Sequence, residues 1–107
     1  IWYVVPEGYC SKMEELASEF FPSKCSMPLR HKNSMFTPET LRNYGIPAQR
    51  MVHIPNTIMI VAPGAYHQGF NSGLNFASAI NYASPSWIPF GLKSRPCDCK
   101  KQISHRF

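Results

Sequence analysis

Residues 63–71 read Pro63-Gly-Ala-Tyr-His-Gln-Gly-Phe-Asn71. The Pro-Gly pair marks a tight turn that closes the apolar run 57–62. Glycines at 69 and 73, with Asn71 and Asn75, suit a bend or bulge over 67–75. On either side the pattern predicts strands. Residues 57–62 form one, and residues 75–82 form another in which Phe76, Ser78, Ile80 and Tyr82 alternate with small alanines. His67 therefore stands in a strand–turn context. A lone histidine there is more often a packed or surface residue than a metal ligand.

Upstream, a strand is predicted at 49–54, separated from the next by Pro55-Asn56. A short helix at 37–44 has Thr37 as N-cap, Pro38 at the first helical position and Gly45 just beyond its end. The chain opens on Ile-Trp-Tyr-Val-Val, which reads as a buried strand over 1–5. After Pro6, the residues Met13, Leu16, Ala17, Phe20 and Phe21 follow the spacing of one helix face. Ser11 and Glu14 would form a capping box if that helix starts late, and Pro22 ends it. Residues 22–36 are polar and irregular and hold Cys25 and His31, while 87–91 reads as a short turn or helix.

A chain of 107 residues allows one domain with a modest core. Its apolar share of 44% argues against disorder, and ten prolines with six glycines predict many turns. No apolar run approaches the ~20 residues that span a bilayer. The N-terminus lacks the basic-then-apolar pattern of a signal peptide, and its abrupt apolar start reads as a piece of a longer protein. The formal charge is +5, and Lys93, Arg95, Lys100, Lys101 and Arg106 crowd the end of the chain against Asp98 alone. Such a cluster suits a polyanion or an acidic protein surface, or serves as a solvated tail.

Four cysteines permit two disulfides, but the Cys97-x-Cys99 spacing favours a metal, since such near neighbours rarely bridge each other. Cys25 and His31 complete a Cys₃His set, and zinc takes four such ligands in a closed tetrahedral site with no position left for substrate. Its role would be structural. Cys10 is left as a buried, inert thiol, and His53 and His105 take the packing reading. The chain contains no His-x-Asp or His-x-Glu pair, so these residues cannot complete a two-histidine, one-carboxylate iron site. No Gly-rich phosphate loop, serine nucleophile elbow or Cys-His catalytic pair is present. A small zinc-stabilised nucleic-acid binder fits poorly, because the aromatics lie in predicted strands and core faces rather than among the basic residues.

Taken together, several segments resemble the second half of a Jumonji C (JmjC) domain. They are Trp2-Tyr-Val-Val-Pro6, Glu19-Phe-Phe-Pro22, Leu29-Arg-His-Lys32, Tyr44-Gly-Ile-Pro47, the stretch 63–71, Asn75-Phe-Ala77, Asn81-Tyr-Ala83 and Trp87-Ile88. With the Cys/His/Cys-x-Cys set, the similarity is to the branch that demethylates trimethyl-lysine in histone tails. The resemblance implies a mainly β fold with short helices, the C-terminal part of a double-stranded β-helix of the jelly-roll or cupin kind. It implies a single unit over 1–107, with 93–107 as a basic, zinc-anchored tail. It further implies an Fe(II)- and 2-oxoglutarate-dependent dioxygenase that hydroxylates an N-methyl carbon and releases formaldehyde. His67 would be the distal iron ligand, Trp2 would line the 2-oxoglutarate pocket, and Asn81 would lie near cosubstrate and substrate. Lys32 would lie close to the methyl-lysine pocket, and Cys25, His31, Cys97 and Cys99 would hold zinc. The other iron ligands and a 2-oxoglutarate lysine would lie upstream of Ile1, so this portion would be inactive alone. Implied partners are a methylated histone tail, chromatin and the upstream remainder of the domain, in the nucleus and away from membranes. Ala79 and Ile80 stand where this branch usually carries hydroxyls, which leaves the degree of methylation open. An inactive JmjC-like chromatin scaffold is the alternative.

Overall fold

The structure is a computed structural model and describes residues 1–99; Lys100, Lys101, His105 and Arg106 of the predicted tail lie outside the described residues. Three strands, β1 (Trp2–Val5), β2 (Gln49–Met51) and β3 (Tyr66–Gly69), form an antiparallel sheet in the order β2-β1-β3. Three helices accompany it: α1 (Cys10–Phe20), α2 (Pro38–Asn43) and α3 (Ile88–Lys93). The first strand thus pairs with two later ones, and Val4 lies opposite His67 while Trp2 lies opposite Met51 and Gly69. Ile1 and Phe70 prolong the β1–β3 ladder with two backbone bonds of 3.0 Å.

Side chains alternate across a strand, so this register sorts them into two faces. Tyr3, Val5, Tyr66 and Gln68 share the face turned to the helices, where Val5 is buried. Trp2, Val4, His67 and Gly69 share the opposite, open face.

The core is built from Val5, Met13, Leu16, Ala17, Phe36, Leu41 and Ile46. Met13, Leu16 and Ala17 are the inward positions of α1 that the spacing predicted. Phe20 is 47% exposed, yet it meets Phe36 and Tyr44 edge-on at 5.8 and 5.7 Å. The Ser11–Glu14 capping box does not form. A 3₁₀ turn at Glu7–Tyr9 runs directly into α1, so Ser11 lies within the helix. Tyr66 fastens β3 to α1 by donating its hydroxyl to Glu14 Oε1 at 3.0 Å, and burial followed by that bond raises the phenol well above its ordinary pKa.

Helix α2 follows its sequence signals closely. Thr37 Oγ1 accepts the Thr40 amide at 3.1 Å, and Pro38 occupies the first turn. Gly45 takes φ of 69°, which a side chain would strain, so that its own amide bonds Arg42 O and the Ile46 amide bonds Leu41 O. That cap packs Ile46 on Leu41, which is fully buried. Leu41→Ala therefore removes core volume that six helical residues cannot collapse to fill. The expected loss is about 3 kcal/mol in urea unfolding.

Four expectations about strands and bends differ from the structure. The strand placed at 49–54 stops at Met51, the bend placed at 67–75 begins later because Tyr66–Gly69 is itself a strand, and 57–62 and 75–82 are not strands. As a result the described residues hold more helix than strand. The physical reason is pairing: an extended run becomes a strand only where a neighbour accepts its backbone hydrogen bonds. β1 is bordered on both sides, and neither run is paired within the described residues. Ile58 and Phe76 are 89% and 99% exposed in consequence. Among the described residues, no helix is long and apolar enough to cross a membrane.

Candidate functional site

Cys25 lies in the bend after α1, His31 ends a 3₁₀ turn at Pro28–His31, and Cys97 and Cys99 follow α3. The fold brings all four together, with one donor atom from each lying within 4.8 Å of the others. Cys25 Sγ is 3.4 Å from Cys97 Sγ, and His31 Nε2 is 3.2 Å from Cys97 Sγ and 3.5 Å from Cys99 Sγ. A tetrahedral zinc with Zn–S bonds of 2.3 Å sets its sulfurs about 3.8 Å apart, so this spacing fits the ion. It does not fit a disulfide, whose sulfurs sit at about 2.05 Å, and all of the cysteines are free thiols.

Backbone amides support the sulfurs. Met27 N–H donates to Cys25 Sγ and Cys99 N–H to Cys97 Sγ, each at 3.4 Å. The Cys99 amide is the main cause that pulls the Cys97 thiol down to about 7. Hydrogen bonding to Cys97 and then to Cys25, which favours the protonated thiol, pushes Cys99 up to about 12. In the metal-free chain, Cys99 thus keeps its proton at neutral pH. Zinc uptake should release it, and affinity should rise with pH. Proton release on titrating zinc into weakly buffered protein checks this; a proton-neutral uptake would contradict it.

Two further bonds join the same segments. Arg30 Nη2 donates to Ser94 Oγ at 2.6 Å, and Ser26 N–H donates to Asp98 Oδ1 at 3.1 Å. Bonding first from Cys25 and then from Ser26 holds the Asp98 carboxyl below its usual range. Cys10, which was expected to be buried, is half-buried. Its thiol donates to Gly64 O at 2.8 Å, and burial pushes its pKa up.

His67 and Trp2 meet on the open sheet face with ring centroids 5.8 Å apart and planes inclined by 50°. The imidazole is exposed. Gly69 makes the approach possible. A Cβ there would come within 2.7 Å of both Ile1 O and Trp2 Cε3. Gly69→Ala should therefore displace the indole and weaken the β1–β3 ladder by about 2 kcal/mol. Thermal melting and a shift in tryptophan emission would register it, and unchanged values would refute it.

Sequence reasoning gave His53 only a packing role, but it fixes the same indole. Trp2 Nε1–H donates to His53 Nδ1 at 3.4 Å, so Nε2 carries the ring proton and donates to Thr57 O at 3.0 Å. No periodicity or motif announces that contact. Asn81 lies exposed in the unpaired run before Ser84, and Lys32 is exposed with a left-handed φ of 56° at the end of the 3₁₀ turn. Neither is brought into contact with the His67–Trp2 pair. A groove of about 220 Å³ lies on the other side of the sheet between Tyr3, Phe36, Gln68 and Phe70, and none of the candidate residues lines it.

The chain combines a small antiparallel sheet presenting an imidazole against an indole with a four-donor cluster of the kind that could hold a metal ion. The family model described as JmjC domain, hydroxylase, matches residues 1–82, and the chain belongs to that family. It is 43% identical over 101 residues to human "Probable lysine-specific demethylase 4F", covering 92% of this chain and 16% of the relative. It is 41% identical over 101 residues to rat "Lysine-specific demethylase 4D", covering 92% and 20%. To mouse "Lysine-specific demethylase 4B" it is 38% identical over 105 residues, covering 95% and 10%. The chain thus spans between a tenth and a fifth of the length of these curated relatives.

Proposed function

We propose that this chain is part of an Fe(II)- and 2-oxoglutarate-dependent dioxygenase that demethylates histone lysine. The observation that carries the reading is His67 set against Trp2 on the open sheet face of a JmjC-family chain. The names of the relatives, each a lysine-specific demethylase, support a methylated lysine as the substrate; a histone tail in chromatin, met in the nucleus, is what this reading adds.

His67 supplies one iron donor. Among the described residues it belongs to no group of three or more histidine, cysteine or acidic side chains. The remaining protein ligands would come from sequence beyond these 107 residues. So would the strands that complete a double-stranded β-helix, by pairing with the runs that expose Ile58, Ile60, Phe76, Ile80 and Tyr82 at every second position. With dioxygen as the oxidant, bound iron and 2-oxoglutarate would supply the chemistry that hydroxylates an N-methyl carbon, one oxygen atom going to that carbon and the other to the succinate left when 2-oxoglutarate loses CO₂.

The chain's own residues have narrower tasks. His67 offers a ring nitrogen from a rigid strand, and Trp2, held by His53, walls the 2-oxoglutarate site and excludes water. Asn81 contributes polar contacts near cosubstrate and substrate, and Lys32 lies beside the methyl-lysine group. Cys25, His31, Cys97 and Cys99 hold a structural zinc that pins the segment 93–99 to the 25–31 loop.

The test is to incubate the full-length protein with a trimethyl-lysine histone peptide, ferrous iron and 2-oxoglutarate. Formaldehyde and succinate in equal amounts are expected. A protein that binds the peptide without forming either product would be a scaffold instead.

A further inference from the structure

We propose that Asp98 is a positioning residue for the Cys₃His centre. Its carboxylate fixes the Cys25 turn through the Ser26 amide and so aligns the two ligand-bearing arms before metal arrives. The inference rests on reading that cluster as a zinc site.

Asp98 stands between the ligands Cys97 and Cys99, and Ser26 directly follows the ligand Cys25. The 3.1 Å bond between Asp98 Oδ1 and the Ser26 amide spans 72 residues of chain. The turn at 25–27 therefore directs one amide to a ligand sulfur and the next to Asp98. On the other arm, the Cys99 amide holds the Cys97 sulfur. Each of those amide–sulfur bonds stays within its own arm, whereas the Asp98 bond crosses from one arm to the other without using a ligand atom.

The cost of assembling a site from two distant segments is conformational, and a contact formed without the ion lowers it in advance. Charge does not account for an acid at this position. Three thiolates already outweigh a divalent cation, and a carboxylate adds to the excess. Acceptance of an amide proton does account for it, because ionised acceptors make the stronger bonds to backbone N–H groups.

The test is competition for zinc ion between the full-length protein and a chromogenic chelator, with Asp98→Ala, Asp98→Asn and Cys97→Ser compared to the wild type. Asp98→Ala should lower zinc affinity about tenfold, the low end for partners that orient metal ligands. Asp98→Asn keeps an acceptor oxygen and should stay within about twofold of the wild type. Hydrogen exchange at the Ser26 amide should quicken in Asp98→Ala and not in Asp98→Asn. Unchanged affinity in Asp98→Ala, or equal losses in both Asp98 variants, overturns the proposal. If the wild type takes up no more zinc than Cys97→Ser, the zinc reading itself fails and carries this inference down with it, an outcome distinct from a failure of Asp98 alone.

Discussion

His67→Ala should cut iron-dependent formaldehyde release by the full-length protein at least about a hundredfold, because a facial ligand set that loses one of its three donors no longer holds the metal in a reactive geometry. The substitution separates chemistry from folding. The imidazole is exposed, and the bonds that pair His67 with Val4 come from the backbone, which alanine retains. Thermal stability should accordingly stay within about 0.5 kcal/mol of the wild type, as for surface changes generally. The measurement pairs a formaldehyde assay with a melting curve. Turnover that persists in a normally folded variant removes His67 from the iron site, and the demethylase reading of this portion goes with it.

Stripping zinc, or replacing Cys97 by serine, should cost stability rather than act on the chemistry directly. The cluster joins Cys25 to Cys97 across 72 residues, with the exposed Ser26–Asp98 and Arg30–Ser94 bonds beside it. A cross-link closing a loop of that length is worth about 4 kcal/mol of denatured-chain entropy. In a domain of this size such a loss lowers the melting temperature by more than about 10 °C. Calorimetry before and after treatment with a strong chelator would register it, with restoration on adding zinc back. A melting temperature indifferent to the chelator would mean that the four side chains stand close without holding an ion.

The candidate site was unevenly legible in the sequence. The zinc set could be read because thiolate and imidazole donors are few, and Cys97-x-Cys99 is a spacing that metals use. The structure then put Cys25, His31, Cys97 and Cys99 within bonding range of one centre. The separate roles given to Trp2 and His67 came only through family resemblance, and the meeting of their rings was not legible, since 65 residues separate them and neither carries a local signal. His53 beside Trp2 and Asp98 beside Ser26 were not legible at all. Both are contacts between segments more than 50 residues apart, made by residue types that are ordinary at any surface.

Local chemistry by itself determined α1 and α2. A 3.6-residue apolar stripe chooses its buried face, Thr37 and Gly45 mark the ends of α2, and these preferences act within a few residues. It also determined which side chains could bind metal. What only the tertiary structure decided is which extended runs become strands and which face each presents. Residues 57–62 are as strand-like in composition as 66–69, yet only the latter found β1 alongside. The reason is that a helix satisfies its backbone hydrogen bonds from within, whereas a strand must borrow a partner from elsewhere in the chain.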